Sequence, residues 1–221
     1  MGGSLGWCAP AGALLALCTL LGCGAPEVND LARNEKLFPP TRFTAKLPAD
    51  LAAFVTPLVD ARKAWVADAS SSGYPATAMP EGIWARPMPE MVDEVLRREL
   101  GTCGVVKSVL QRAEAGALIV KPSLVTGAAA VQELPQGRRT IAEAGIRIVV
   151  LGRDDGNGKR ATLHDQVYTQ RLVSDVEMRP APALGLLSRA MRTSLTTALA
   201  GLDQSNVARS GVPLETHEKG D

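Results

Sequence analysis

The sequence predicts an α+β domain: a mostly antiparallel β-sheet with two amphipathic helices packed on one face. Three observations carry this. Two segments, 89–100 and 183–202, repeat apolar residues at helical spacing. Three β-rich segments follow one another between residues 104 and 153. The run Asp154-Asp155-Gly156-Asn157-Gly158-Lys159 then offers glycines for positive φ and turns the chain into a further strand over 160–175.

The chain opens on an uncharged apolar stretch, residues 11–21. It is too short for a transmembrane helix, which needs about 20 apolar residues, and it suits the h-region of a secretory signal. It closes on Leu20-Leu21-Gly22-Cys23. Small residues before a cysteine fit a peptidase subsite, and a thiol is the side chain able to form a thioether to diacylglycerol. Residues 1–22 therefore read as a lipoprotein signal peptide and Cys23 as the lipidated residue. The alternative is an ordinary secretory peptide that happens to contain cysteine. The n-region departs from the pattern, because the first basic residue is Arg33. The myristoylation pattern fails, with Gly6 where Ser or Thr is wanted. Gly24 replaces the Asp that retains enterobacterial lipoproteins in the inner membrane. The expected address is thus the periplasmic face of the outer membrane, with the inner membrane's periplasmic face left open.

Cysteine usage agrees with that address. Cys8 and Cys18 would leave with the signal and Cys23 would be acylated, so only Cys103 remains and no internal disulfide forms. Cys103 extends the apolar face of the first helix and reads as a small core residue. The formal net charge of +1 argues against a nucleic-acid partner. An aromatic content of 4% leaves a stacking platform poorly supplied.

Residues 23–40 read as a lipidated tether: polar, ending in Pro39-Pro40, with Leu37 and Phe38 able to dock on the domain. The α+β domain then spans 41–202. Residues 52–62 read as the first strand, with Pro57 confining it to an edge or a bulge. Residues 63–86 form the longest loop, broken by Ser70-Ser71-Ser72-Gly73, Pro75 and Pro80. Trp65, Tyr74 and Trp84 concentrate in it. They read either as a binding surface or as plugs at the ends of a small core.

In the first helix Val92, Val95, Leu96 and Leu100 recur on one face, with acids at the start and Arg97-Arg98 at the end. Gly101 or Gly104 caps it. Strands follow over 104–110, 117–131 and 140–153. In the return strand 160–175 neither alternating set is purely apolar, so it is expected to be partly exposed or at a sheet edge. Pro180 and Pro182 introduce the last helix, whose stripe is Leu184, Leu187, Met191, Leu195, Ala198, Leu199 and Leu202. Residues 203–221 read as a mobile polar tail.

The chemistry of catalysis is sparse. His217 lies in the tail, and His164 stands beside Asp165 with no companion ligand, so it reads as a sheet-surface residue and no metal site is expected. Asp154, Asp155 and Asn157 lack the spacing of a calcium loop. No nucleophile elbow, P-loop or dinucleotide fingerprint is present. No cofactor is expected and the protein is not read as an enzyme. A polar cleft joining Asp60, Arg62 and His164 would reverse that reading.

Leu20 to Cys23, then Val59-Asp60-Ala61-Arg62, then the helix ending at Leu100 followed by Gly104-Val105-Val106, resemble a broad group of Gram-negative envelope lipoproteins. The group includes the ABC-type transport auxiliary and lipopolysaccharide-assembly lipoproteins, small "D-x-R" lipoproteins, and lipoprotein activators of penicillin-binding proteins. The chain departs from it in its uncharged n-region and long 63–86 loop. The resemblance implies a non-catalytic periplasmic adaptor docking on an envelope transport or assembly complex, with Trp65, Tyr74, Trp84, Asp60 and Arg62 as candidate binding residues. The alternatives are a carrier of lipid or another apolar ligand, and a regulator of cell-wall synthesis.

Overall fold

The computed structural model describes residues 29–40, 43–63, 76–177 and 182–209. Along them run β1 (Ala53–Val55), β2 (Val59–Asp60), β3 (Ala76–Ala78), α1 (Met88–Thr102), β4 (Val109–Leu110), β5 (Leu118–Leu134), β6 (Gly137–Asp154), β7 (Arg160–Val173) and α2 (Ala183–Gln204). The seven strands form one sheet in the order β4-β1-β5-β6-β7, with β2 and β3 also pairing with β5. Both helices pack against it. The long strands β5, β6 and β7 are antiparallel, as is β3 on β5. β1 lies parallel to β4 and β5, and β2 parallel to β5, so the sheet is mixed but mostly antiparallel.

Alternation in β6 fixes which face meets the helices. Ala142, Ala144, Ile146, Ile148 and Val150 are buried, whereas Arg147 and Arg153 point to solvent. In β5 the inward set begins with Leu118, Val120 and Leu124 and continues with Gly127 and Ala129. The change from even to odd numbers occurs at Val125, an extra residue between the pairs Leu124–Ile146 and Thr126–Gly145. This β-bulge restores the phase that would otherwise turn the second half of β5 inside out.

Helix α1 carries Pro at its first turn, where a missing N–H costs nothing. It buries Met91, Val92, Val95, Leu96 and Leu100. It ends at Cys103, whose N–H donates to the Glu99 carbonyl, and Gly104 follows at φ +78°. Met88 Sδ packs over Gly127, where a Cβ would approach it to 2.6 Å, so a side chain there would displace the Met88 thioether. Helix α2 lies on β5, β6 and β7. Its stripe of Leu187, Met191, Leu195, Ala198, Leu199 and Leu202 is buried, and Ser194 Oγ donates to the Ala144 carbonyl at 2.9 Å. Each large apolar side chain so buried contributes roughly 1.5–3 kcal/mol relative to exposure.

Several boundaries differ from the sequence reading. Residues 52–62 split at Pro57 into two short parallel strands, because proline supplies no ladder N–H. Within 104–110 only Val109 and Leu110 pair; Val105 and Val106 are buried in bends rather than in a strand. The described part of the 63–86 loop contains β3 and a 3₁₀ turn over Glu81–Ile83.

The tether and tail assignments also change. Leu31 and Phe38 are core residues, so 29–38 is part of the fold rather than spacer. The segment is locked by Asp30, whose Oδ1 accepts the Ala32 N–H at 2.8 Å and whose Oδ2 accepts Arg86 Nε at 2.7 Å. Arg86 also reaches Glu94 on α1 at 2.5 Å. At the other end Asp203 is buried and ion-paired to Arg209, which also donates to the Leu47 carbonyl at 3.0 Å. Val207 and Ala208 join the core, so the fold continues through 209. Residues 203–208 read as tail because Asp203, Gln204, Ser205 and Asn206 are polar; the ion pair to Arg209 makes Asp203 buriable.

Candidate functional site

Cys23, Trp65 and Tyr74 lie outside the described residues. The structure places Trp84 in the core cluster at 9% exposure, immediately before the Arg86 clamp. Its surroundings are those of the plug reading. The peptide beside it is fixed by the N-terminal segment: Ala85 N–H donates to the Asn29 carbonyl at 3.1 Å, and Asn29 Nδ2 to the Ile83 carbonyl at 2.8 Å.

Asp60 and Arg62 face each other in a bidentate pair, with Arg62 Nε on Asp60 Oδ1 at 2.8 Å and Nη2 on Oδ2 at 2.7 Å. The Arg62 side chain, with only 14% exposure, lies near Gly127 beside Met88. Hydrogen bonds from Arg62 outweigh partial burial and hold the Asp60 carboxyl below its ordinary pKa. The pair closes the end of β2. It is not joined to His164, which lies across β6 on β7.

His164 is buried, not on the sheet surface as the sequence suggested. It faces α2 with Tyr168 four residues on; the two rings stack 6.1 Å apart, and the Tyr168 hydroxyl and His164 Nε2 share a 2.9 Å hydrogen bond. A Cβ at Gly201 of α2 would run into the Tyr168 hydroxyl, so the helix comes close enough to cover both rings. Burial lowers the His164 pKa despite the adjacent Asp165, and raises that of Tyr168. Burial likewise pushes the Cys103 thiol up. No group of three or more His, Cys, Asp or Glu side chains among the described residues is placed to hold a metal.

The hairpin acids serve the turn. Asp154 Oδ1 accepts the N–H groups of Gly156 and Gly158, and Asp155 Oδ1 those of Asn157 and Lys159. Arg160, which sequence reasoning passed over, donates to the carbonyls of Ala117, Gly152 and Glu114 and so ties the hairpin to the start of β5. Nothing in its sequence neighbourhood signals this, because its acceptors are main-chain atoms distant in the chain.

The broadest surface is the sheet face opposite the helices. One row of register partners crosses it from Val59 to Ser123, Arg147 and Val167. Val59 and Val167 are 59% and 54% exposed, and Val173 lies further along β7, also exposed. Charge flanks them: Arg147 pairs with Asp165 at 2.6 Å. Among the described residues β7 pairs with β6 alone, so its outer edge presents free main-chain groups, as expected of the strand whose alternation was incomplete.

No protein-family model matches the chain, and no curated protein matches its sequence. Three solved structures resemble it weakly. Protein XCC0632 of Xanthomonas campestris, of the DUF330 family model, is 11% identical over 72% of this chain and 87% of its own, with a TM-score of 0.45. The hypothetical protein CT253 of Chlamydia trachomatis is 8% identical over 55% and 71%, with a TM-score of 0.33. The lipoprotein GNA1162 of Neisseria meningitidis is 15% identical over 68% and 96%, with a TM-score of 0.22. The likeness is one of general shape to bacterial proteins, one of them a lipoprotein.

Proposed function

We propose that this chain is a non-catalytic envelope adaptor, anchored by lipid on Cys23, that docks on a transport or assembly complex at the periplasmic face of the outer membrane. The observation that supports docking is the exposure of Val59 and Val167 on the sheet face opposite the helices, together with the edge of β7, which is unpaired among the described residues. A partner strand can add to such an edge by main-chain hydrogen bonds, with Val167 and Val173 supplying side-chain contact. Carriage of an apolar ligand between sheet and helices has less support, because Met91, Leu96, Leu100, Ile146, Ile148, Leu187 and Met191 fill that layer.

The test is purification of the native protein from its own envelope in gentle detergent, with mass spectrometry of what accompanies it. A transport or assembly complex is expected with the parent protein, and absent with Cys23→Ser and with Val167→Glu/Val173→Glu. Both valines are surface residues, so the double variant should keep its thermal midpoint. A partnerless protein carrying lipid would move the reading to a carrier, and a peptidoglycan synthase as sole partner to cell-wall regulation.

A further inference from the structure

Residues 36–39 and the first turns of α2 enclose a groove of about 450 Å³. Three cations line it, Lys36, Arg189 and Arg192, and no carboxylate among the described residues does. Leu37, Pro39 and Leu186 form its apolar wall. Of the other described arginines, Arg33, Arg62, Arg86, Arg97, Arg98, Arg138, Arg147 and Arg209 each hold a carboxylate, and Arg139 and Arg160 hold neutral oxygens. The side chains of Arg189 and Arg192 hold no partner among the described residues. Two guanidinium forks one helical step apart, facing one groove, suit the oxygens of a phosphate. The first turn of α2, which carries no acid and no side-chain cap, adds to the positive potential.

We propose that this groove binds the phosphodiester headgroup of an anionic glycerophospholipid, its apolar wall meeting the glycerol and the first acyl methylenes. The choice of a lipid rests on the reading above that Cys23 is acylated. Thirteen residues separate Cys23 from Lys36, so the fully extended chain would hold the groove within about 47 Å of the anchor. The turns over 31–33 and 35–37 shorten that reach further. Free phosphate shares the chemistry but has no use for the apolar wall.

The test uses the mature lipidated full chain in nanodiscs, made of phosphatidylcholine alone or with phosphatidylglycerol. Hydrogen exchange over residues 36–39 and 183–192 reads occupancy. Phosphatidylglycerol is expected to slow exchange there. Each cation strengthens attraction to an anionic surface about fivefold, and each Arg→Glu removes a cation and adds an anion, so Arg189→Glu/Arg192→Glu should weaken the effect by more than about twenty-five-fold and abolish the protection. Arg189 is exposed and Arg192 half-buried on the outer side of α2, so the variant should remain folded; unchanged exchange in β6 checks this. Equal protection in both discs, or protection surviving the double substitution, would overturn the proposal. Inorganic phosphate reproducing the protection in phosphatidylcholine discs would replace the lipid by a free anion. Incorporation into phosphatidylcholine discs and the intact mass report acylation separately, so a missing anchor is distinguishable from an empty groove.

Discussion

Trp84 sits where the N-terminal segment, the 3₁₀ turn and α1 converge, and only 9% of it reaches solvent. Trp84→Ala is therefore expected to cost about 3–5 kcal/mol in denaturant unfolding, as large aromatic truncations in cores do. A variant of unchanged stability that lost its partner would return Trp84 to the binding surface. His164 carries a second prediction. Its folded pKa lies below the ordinary 6.5 because burial disfavours the charge. The unfolded chain therefore takes up a proton that the folded chain refuses. Stability is fully present above 6.5 and falls as pH drops below it, until the folded pKa is reached. His164→Gln, which keeps a partner for the Tyr168 hydroxyl, should flatten the change in thermal midpoint between about pH 7.5 and 5.5. Asp30 acts in a lower window. Burial opposes its charge, but hydrogen bonds from Arg86 and two backbone amides outweigh burial and lower its pKa from 3.8. That contribution is kept above 3.8 and lost as pH falls through the folded value. The sequence did not show His164 as buried, because the residues that cover it belong to α2 and close approach depends on Gly201.

At the scale of elements, the two helices and the β6–β7 hairpin were legible because their signals are local: apolar spacing for α1 and α2, glycines at positive φ for the turn. The edge position of β7 was legible too, from its broken alternation. The parallel strands β1 and β2 were not, since two or three residues carry no period and their partners lie more than fifty residues away. The bulge at Val125 was equally hidden; alternation through 117–131 reads as one strand whichever residue is extra. Its weight can be measured. Deleting Val125 would make Leu124–Ile146 and Thr126–Gly145 consecutive pairs of a regular strand, so Gly127 and Ala129 would keep facing the helices. The Met88 contact at Gly127 would be kept. The deletion is therefore expected to leave unfolding cooperative. Loss of cooperativity would show that the bulge itself, and not only the phase of the strand, holds the sheet together.

At the scale of the whole molecule, both ends of the described residues, 29–38 and 203–209, belong to the fold. The N-terminal segment supplies Leu31 and Phe38 to the core and is held through Asp30, Arg86 and Glu94 to α1; the C-terminal turn is held through Asp203 and Arg209 to residues 46–47. Composition concealed this, because polar residues surround each buried one, and the Asp30–Arg86 pair that makes burial of the N-terminal segment tolerable joins positions far apart in sequence. A chain lacking residues 24–40 should unfold at lower denaturant, by several kcal/mol, since it forfeits two fully buried side chains and leaves Arg86 without its main partner. An unchanged midpoint would restore the spacer reading of that segment. The same arrangement has a mechanical side. A lipid on Cys23 would be joined to the fold at Asn29 through residues 24–28. Any pull that drags the anchor out of a bilayer would enter at Asp30 and load the centre of the domain directly, so extraction from a membrane and unfolding would be resisted by the same clamp.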